Sequence, residues 1–558
     1  MKLAPEVGRF VGLAALSLVL TASATLAAPE LIPSRAAGRA QALATLATGG
    51  TAGATCLTPW VQTLRSERQR ATASLRRSLA ALTSDPSLPG ERAVFDIDGV
   101  TARFTTDRSA QDRVEIVDDN ANGRPDVVDE ALAGIAGAQQ LLVGQLELAS
   151  PGQIDVVLGR LGSVGDGLCV PSSGKQLRSH IWLESAPRGG NAAVRRAAAH
   201  QYAHAVALSS GLDPAWGEAF ANWTSLTVEG SPDDRTLAVF TGKLAAAGAG
   251  LASSEPDLTG GNALWLAFLH ESYGPTAVKL AVEELGRADS HLDALDRALR
   301  RGTGDTIETA LREYQVWSLL VGPRDDGKHF SFASKLPAPS FASEASALPA
   351  LSVQADPEVA PMGSAAVLLR PGAQAGGLTL RFEGDVTARW GADLLLVRED
   401  GALHRVPLVL EADDAGELSV PLQDVREAVL LVRNLDLEGR AARPYSWAAQ
   451  FAPGFPAEFG ALRVERAGER GGAVVSWETS LESGLLGFNV LRARSDAGEA
   501  TRVNPVWIPT VGETGGSASY SFLDADAEPG VSYRYRIEAV TLEGLTSRSE
   551  PVSLTVVP

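Results

Sequence analysis

Ala199-His200-Gln201-Tyr202-Ala203-His204 sets two histidines four residues apart, and the reading of the fold grows from it. On a helix, residues four apart share a face, so both imidazoles can reach one metal ion. In the pattern His-Glu-x-x-His the glutamate then activates a metal-bound water; here that position is Gln201. The surrounding run, 195–209, is Ala-rich, contains no Pro or Gly and stops before Gly211, which predicts a helix carrying both histidines. Asp213-Pro214 reads as a cap and first-turn proline opening a second helix, with Glu218 in its first turns. Two His on one helix and a Glu on the next make a three-donor set that leaves a fourth position open, the arrangement of a catalytic zinc. Glu229 is the alternative third donor.

The wording around these residues resembles the gluzincin branch of zinc metallopeptidases. It is closer still to exported bacterial metalloproteases with His-Glu-Tyr-x-His followed by Trp-x-x-Glu-(Gly/Ala)-x-Ala-x-Trp. Tyr202, Trp216, Ala219, Ala221 and Trp223 fit that wording, whereas Trp216-Gly217-Glu218 is one residue shorter from Trp to Glu. Leu264-Trp265-Leu266-Ala267-Phe268-Leu269-His270-Glu271-Ser272-Tyr273-Gly274 is similar to a helix of the same group. His270, near that helix's end, reads as a surface residue rather than a ligand. The resemblance implies an α+β zincin-like metallopeptidase domain, zinc held by His200, His204 and Glu218, and a polypeptide as substrate or ligand.

Gln201 changes what such a site can do. An amide has the size of a carboxylate and can hydrogen-bond a bound water, but it cannot take up the water's proton. General acid–base assistance is worth ~10²–10⁴ in rate, so the expectation is a peptidase-like protein with impaired catalysis. Two alternatives stand beside it. One is an active endopeptidase using a replacement base, for which Glu184 in His180-Ile181-Trp182-Leu183-Glu184 is the candidate. The other is a surface or secreted binding protein whose metal site is vestigial.

The rest of the chain of 558 residues sets bounds. Lys2 and Arg9, an apolar run over 11–20 and Thr25-Leu26-Ala27 read as a secretory signal over 1–27, hence an exported protein, periplasmic, extracellular or cell-surface. The remainder holds no other apolar stretch of membrane-spanning length. A net charge of −18 with no offsetting basic patch argues against nucleic acid as a partner. Cys56 and Cys169, the two cysteines, form either one disulfide or two free thiols. Residues 28–90 are an Ala-rich segment and linker, with amphipathic helical spacing over 59–82.

Strands are expected at 94–97, 102–105, 154–158 and 180–183, and helices over 131–148, 263–285, 292–299 and 307–320, so that 91–335 forms the zincin-like domain. Within it Asp118, Asn120, Asn122, Asp126 and Asp129, with Gly123 at the sixth place, match the oxygen spacing of an EF-hand-type calcium loop. An Asx-rich turn capping the next helix accounts for the same residues. After a linker over 336–350, short apolar runs separated by turns predict an all-β sandwich over 351–455. Residues 456–558, with Trp477 and the alternating stretch Tyr533-Arg534-Tyr535-Arg536-Ile537-Glu538-Ala539-Val540, resemble a fibronectin type III module. The fold class is thus an α+β zincin-like domain followed by two all-β sandwich domains.

Overall fold

The computed structural model describes residues 56–59 and 61–62 and then, with short interruptions, 88–555. The signal segment and most of the helix expected over 59–82 lie outside the described residues, although 58, 59, 61 and 62 are helical. The chain divides into two compact units. One ends at Pro232 and also takes in Gly274–Arg287; the other comprises Asp233–Tyr273 and Ala288–Pro558. This division runs through 91–335.

The first unit is built on a mixed sheet of β1 (Glu91–Ile97), β2 (Val100–Thr105), β3 (Gln153–Gly159), β4 (Gly167–Pro171) and β5 (Arg178–Glu184), in the order β1-β2-β3-β5-β4. The β2, β3 and β5 pairings are parallel, while β1 and β4 run antiparallel to their neighbours at the two edges. Ile154, Val156, Val157 and Leu158 are all buried, as expected where helices cover a sheet whose inner strands are parallel.

Helix α1 (Asp126–Gln139) continues into a wider π-helical turn over Gln140–Gln145. Helix α2 (Asn191–Ser209) carries the two histidines and packs against α1, β4, β5 and α3 (Pro214–Glu229). Such close surroundings suit its sequence. From Ala198 to Ala207 every residue of α2 is buried, and alanine is thin enough to let neighbours approach from several sides without large side chains to accommodate.

The apolar stretch 263–285 is two helices rather than one. Helix α5 (Ala263–Tyr273) ends where Gly274 takes φ +85°, and α6 (Pro275–Leu285) begins with proline at its first position. Glycine supplies the left-handed turn and proline fits a helix start, so the break follows local chemistry. Helix α4 (Asp234–Ala245), capped by the Asp233 carboxylate on Thr236 N–H, was not anticipated. Helices α7 (His291–Gly302) and α8 (Ile307–Leu319) complete the helical part of the second unit.

The β part of that unit consists of several sheets. Strands β6 (Ser343–Ala345), β8 (Ser364–Leu369), β10 (Trp390–Arg398), β11 (Leu403–Leu408) and β13 (Val425–Asn434) form one, in the order β11-β10-β13-β8-β6. Strands β7 (Ala350–Leu351), β9 (Gly377–Gly384), β12 (Ala415–Pro421) and β14 (Tyr445–Ala452) form its partner, in the order β12-β9-β14-β7. Leu394, Leu396, Leu430 and Val432 face the core shared with this partner sheet. Leu395, Val429 and Leu431 face the other way, onto Val316, Leu319 and Leu320 at the end of α8. Being covered on both faces explains the unbroken apolar runs.

The last sheets pair β15 (Ala457–Arg466), β16 (Ala473–Glu482) and β20 (Ala518–Asp524) against β17 (Leu485–Arg494), β18 (Thr501–Arg502), β19 (Ile508–Pro509), β21 (Ser532–Thr541), β22 (Thr546–Arg548) and β23 (Val552–Thr555). Trp477 lies in their common core, stacked on Tyr520 with ring centroids 5.2 Å apart. Tyr533, Tyr535 and Ile537 are buried while Arg534 and Arg536 are exposed, the period-2 pattern of a strand with one dry face, but from Ile537 to Thr541 every residue is buried.

Candidate metal centre

The Asp213 carboxylate accepts from Ala215 N–H and Trp216 N–H at 2.8 and 2.9 Å, fixing the start of α3. Such caps contribute about 1 kcal/mol, and this one sets where Glu218, a turn later, points. It points at α2. Glu218 Oε2 lies 3.1 Å from His204 Nε2 and 3.5 Å from His200 Nε2, and the two Nε2 atoms are 3.2 Å apart. The sequence reading named all three.

It did not foresee the fourth. Cys56 Sγ sits 3.3 Å from His204 Nε2, and Cys56, His200, His204 and Glu218 each offer a donor atom within 4.8 Å of all the others. One ring nitrogen, with either a single proton or a single lone pair, cannot satisfy a sulfur, a nitrogen and a carboxylate oxygen at once. A cation at the centre can. Bond lengths of 2.0–2.3 Å around a tetrahedral zinc place neighbouring donor atoms about 3.3–3.6 Å apart, within a few tenths of an ångström of the distances above. The group can therefore hold a metal ion, and it is the single such cluster among the described residues.

Gln201, on the same helix, is wholly buried, and both ends of its amide are engaged. Its Oε1 accepts from Thr58 Oγ1 at 2.7 Å and its Nε2 donates to Cys56 Sγ at 3.3 Å. Thr58 Oγ1 in turn accepts from Cys169 N–H at 2.8 Å. Leu57 N–H donates to the Gly167 carbonyl at 3.2 Å, so residues 56–58 lie along edge strand β4. Gly167 has no room for a side chain: a Cβ there would stand 2.7 Å from Gln201 Cγ. Cys56 and Cys169 are both free, buried thiols, so the disulfide alternative is not the one formed.

Burial and the Glu218 carboxylate push the Cys56 thiol up, but His204 and His200 outweigh them and bring it down to about 6. Burial alone would lower the imidazoles; against it, Cys56 and Glu218 raise His204 to about 10, and Glu218 and Cys56 raise His200. Burial opposes ionisation of Glu218, yet the two histidines hold it well below its ordinary value. Cys169 is pushed up by burial, with Cys56 adding. In the metal-free chain the thiolate absorbance assigned by subtracting a Cys56→Ser variant is therefore expected to titrate near pH 6 rather than near 9. A midpoint near 9 would show that Cys56 does not sit among the imidazoles.

The remaining candidates are placed elsewhere. Glu229 forms a two-pronged ion pair with Arg195 at 2.9 and 3.0 Å and is not a ligand. Glu184 accepts from Leu161 N–H at 2.8 Å and Ala186 N–H at 3.0 Å; a carboxylate tied to two backbone donors is poorly placed to act as a replacement base. His270 is half-buried, and desolvation lowers its pKa despite neighbouring Glu271.

In the 118–129 loop the Asp118 carboxylate accepts from Asn122 N–H and Gly123 N–H, and Asp126 from Asp119 N–H. Asp129 Oδ2 accepts from the Asn120 and Asn122 amides, and Oδ1 pairs with Arg124 at 2.9 Å. The loop draws Asp118, Asn120, Asn122 and Asp129 together as an Asx-rich turn leading into α1. A calcium ion would have to displace Arg124 and two amide groups from Asp129.

Neither a protein-family model nor a curated protein matches the chain. Among solved structures, one titled "Myokine structure" is 24% identical over 18% of this chain and 99% of its own, with a TM-score of 0.14. A β-1,2-glucanase from Parabacteroides distasonis is 13% identical over 36% of this chain and 33% of its own, with a TM-score of 0.12. A Bacteroides uniformis β-glucuronidase is 10% identical over 35% of this chain and 26% of its own, with a TM-score of 0.15. This chain thus spans about a third or less of the two glycosidases, and likenesses this slight bear on neither fold nor function. No helix among the described residues is long and apolar enough to cross a membrane.

Proposed function

We propose that this chain is an exported, zinc-metallopeptidase-like protein whose peptidase chemistry is impaired at Gln201. The observation that carries the reading is the convergence of His200 Nε2, His204 Nε2 and Glu218 Oε2 within 3.1–3.5 Å of one another. The helix–cap–helix that delivers them supports the gluzincin resemblance, from whose wording Trp216-Gly217-Glu218 departs by one residue. A mixed set of thiolate, imidazole and carboxylate donors at tetrahedral spacing suits the borderline-soft zinc ion among the common metals. When bound, zinc would supply Lewis acidity and a polarised ligand position. The chain's own residues supply the scaffold but no base, since Gln201 cannot carry a proton away. In this reading the C-terminal sheets form a fibronectin type III-like module: three strands with Trp477 pack over the sheet containing Tyr535. Such a module does not define a function by itself.

Metal analysis after exchange into metal-free buffer tests the reading. One zinc per wild-type chain is expected, substoichiometric metal in His204→Ala, and no measurable casein hydrolysis by wild type. Wild type free of metal, or retaining it undiminished in His204→Ala, would remove the basis of the proposal.

A further inference from the structure

The three-donor plan leaves a fourth position for water, and residues 56–58 lie where that water would be. The geometry points to Cys56 Sγ as the fourth protein ligand, and to residues 56–58 as a built-in plug that closes the metal position. The inference rests on the zinc reading above and adds to it what occupies the reactive position.

Four hydrogen bonds seat the plug. Leu57 N–H bonds the Gly167 carbonyl at the β4 edge, as an added strand would. Thr58 Oγ1 donates to Gln201 Oε1 and accepts from Cys169 N–H. Gln201 Nε2 donates to Cys56 Sγ. The last contact gives the residue at the base position a purpose. An amide can offer N–H to sulfur, whereas a glutamate carboxylate has no donor and would repel a thiolate. Cys56 with Gln201 thus stands where a bound water with glutamate would stand. As the metal binds, the sulfur ligates as thiolate and the imidazoles as neutral rings, so the protons these groups carry are released to solvent and nothing is oxidised or reduced. A site with four protein donors behaves as a closed centre.

Cobalt substitution of the full chain reads this directly. Wild type loaded with Co²⁺ is expected to show a thiolate-to-cobalt charge-transfer band that persists in Cys169→Ala and is lost in Cys56→Ala. Adding acetohydroxamate is expected to shift the cobalt d–d spectrum of Cys56→Ala and leave wild type unchanged. Should Cys56→Ala fail to fold, Cys56→Ser, closest to the thiol in shape, is expected to lose the same band. Stoichiometric cobalt in wild type without the charge-transfer band would overturn the plug while leaving the His200, His204 and Glu218 reading intact. A chain that takes up neither cobalt nor zinc would overturn both.

Discussion

Peptide hydrolysis is expected to rise by ~10²–10⁴ when Gln201→Glu is combined with Cys56→Ala, and hardly at all with Gln201→Glu alone. Two deficits coincide at one site. Gln201 denies the site a proton acceptor, a deficit of the size general-base assistance normally contributes. The Cys56 sulfur, 3.3 Å from His204 Nε2, denies it a place for water. In the single variant the new carboxylate would face the Cys56 sulfur and the Thr58 hydroxyl, not a water. Removing the sulfur opens the position, and only then does a carboxylate have a proton to take. Steady-state cleavage of casein or a quenched peptide by wild type, both single variants and the double variant, each loaded with one zinc, measures the four corners. Equal gains in the single Gln201→Glu variant and the double would show that the thiol is no obstacle. No gain in the zinc-loaded double variant would show that the cleft lacks more than a base and a water.

The parts of this site that the sequence reveals are those written in local patterns. The four-residue spacing of His200 and His204, the Asp213-Pro214 start and the position of Glu218 all lie within one helix pair, where periodicity and capping chemistry operate. Cys56 lies 148 positions from His204, and no periodicity joins them; in the sequence Cys56 reads as half of a disulfide or as a free thiol, with nothing to mark it as a ligand. Strand β4 was missed for a related reason. Gly167-Leu168-Cys169-Val170-Pro171 is short and bracketed by turn-forming residues, yet Gly167 is required because the strand passes directly over Gln201. The break at Gly274-Pro275, by contrast, was present as turn chemistry within an apolar run whose length suggested a single helix. In the 118–129 loop one spacing fits two structures, a calcium loop and an Asx-rich turn, and here the Asp129 carboxylate pairs with the Arg124 guanidinium. Arg124 stands at the seventh loop position, where the calcium pattern uses only a backbone carbonyl, so the spacing says nothing about its side chain.

The largest expected loss of stability falls in the second unit. Asp393 interrupts the apolar run of β10 on the face toward α8, and its carboxylate is buried with a side-chain exposure of 1%. Arg433, 4% exposed, donates to it at 2.6 Å, and Arg312 from α8 at 3.0 Å. Arg433 also donates to Gln315 Oε1 at 2.9 Å, while Gln315 Nε2 donates to the Ala365 carbonyl at 2.8 Å. The network pins α8 in register on a sheet face otherwise held by Leu395, Val429 and Leu431, whose non-directional packing would tolerate sliding. Asp393→Ala leaves the Arg433 guanidinium buried without its counter-charge, and removing one partner of such a pair costs about 3–5 kcal/mol. Replacing the pair by well-packed apolar groups is often neutral, so Asp393→Leu with Arg433→Met is expected to recover most of that loss. Urea unfolding followed by the fluorescence of Trp390 and Trp447 variants can isolate the sandwich transition. An Asp393→Ala midpoint indistinguishable from wild type would mean that packing alone fixes α8 and that the buried charges are incidental.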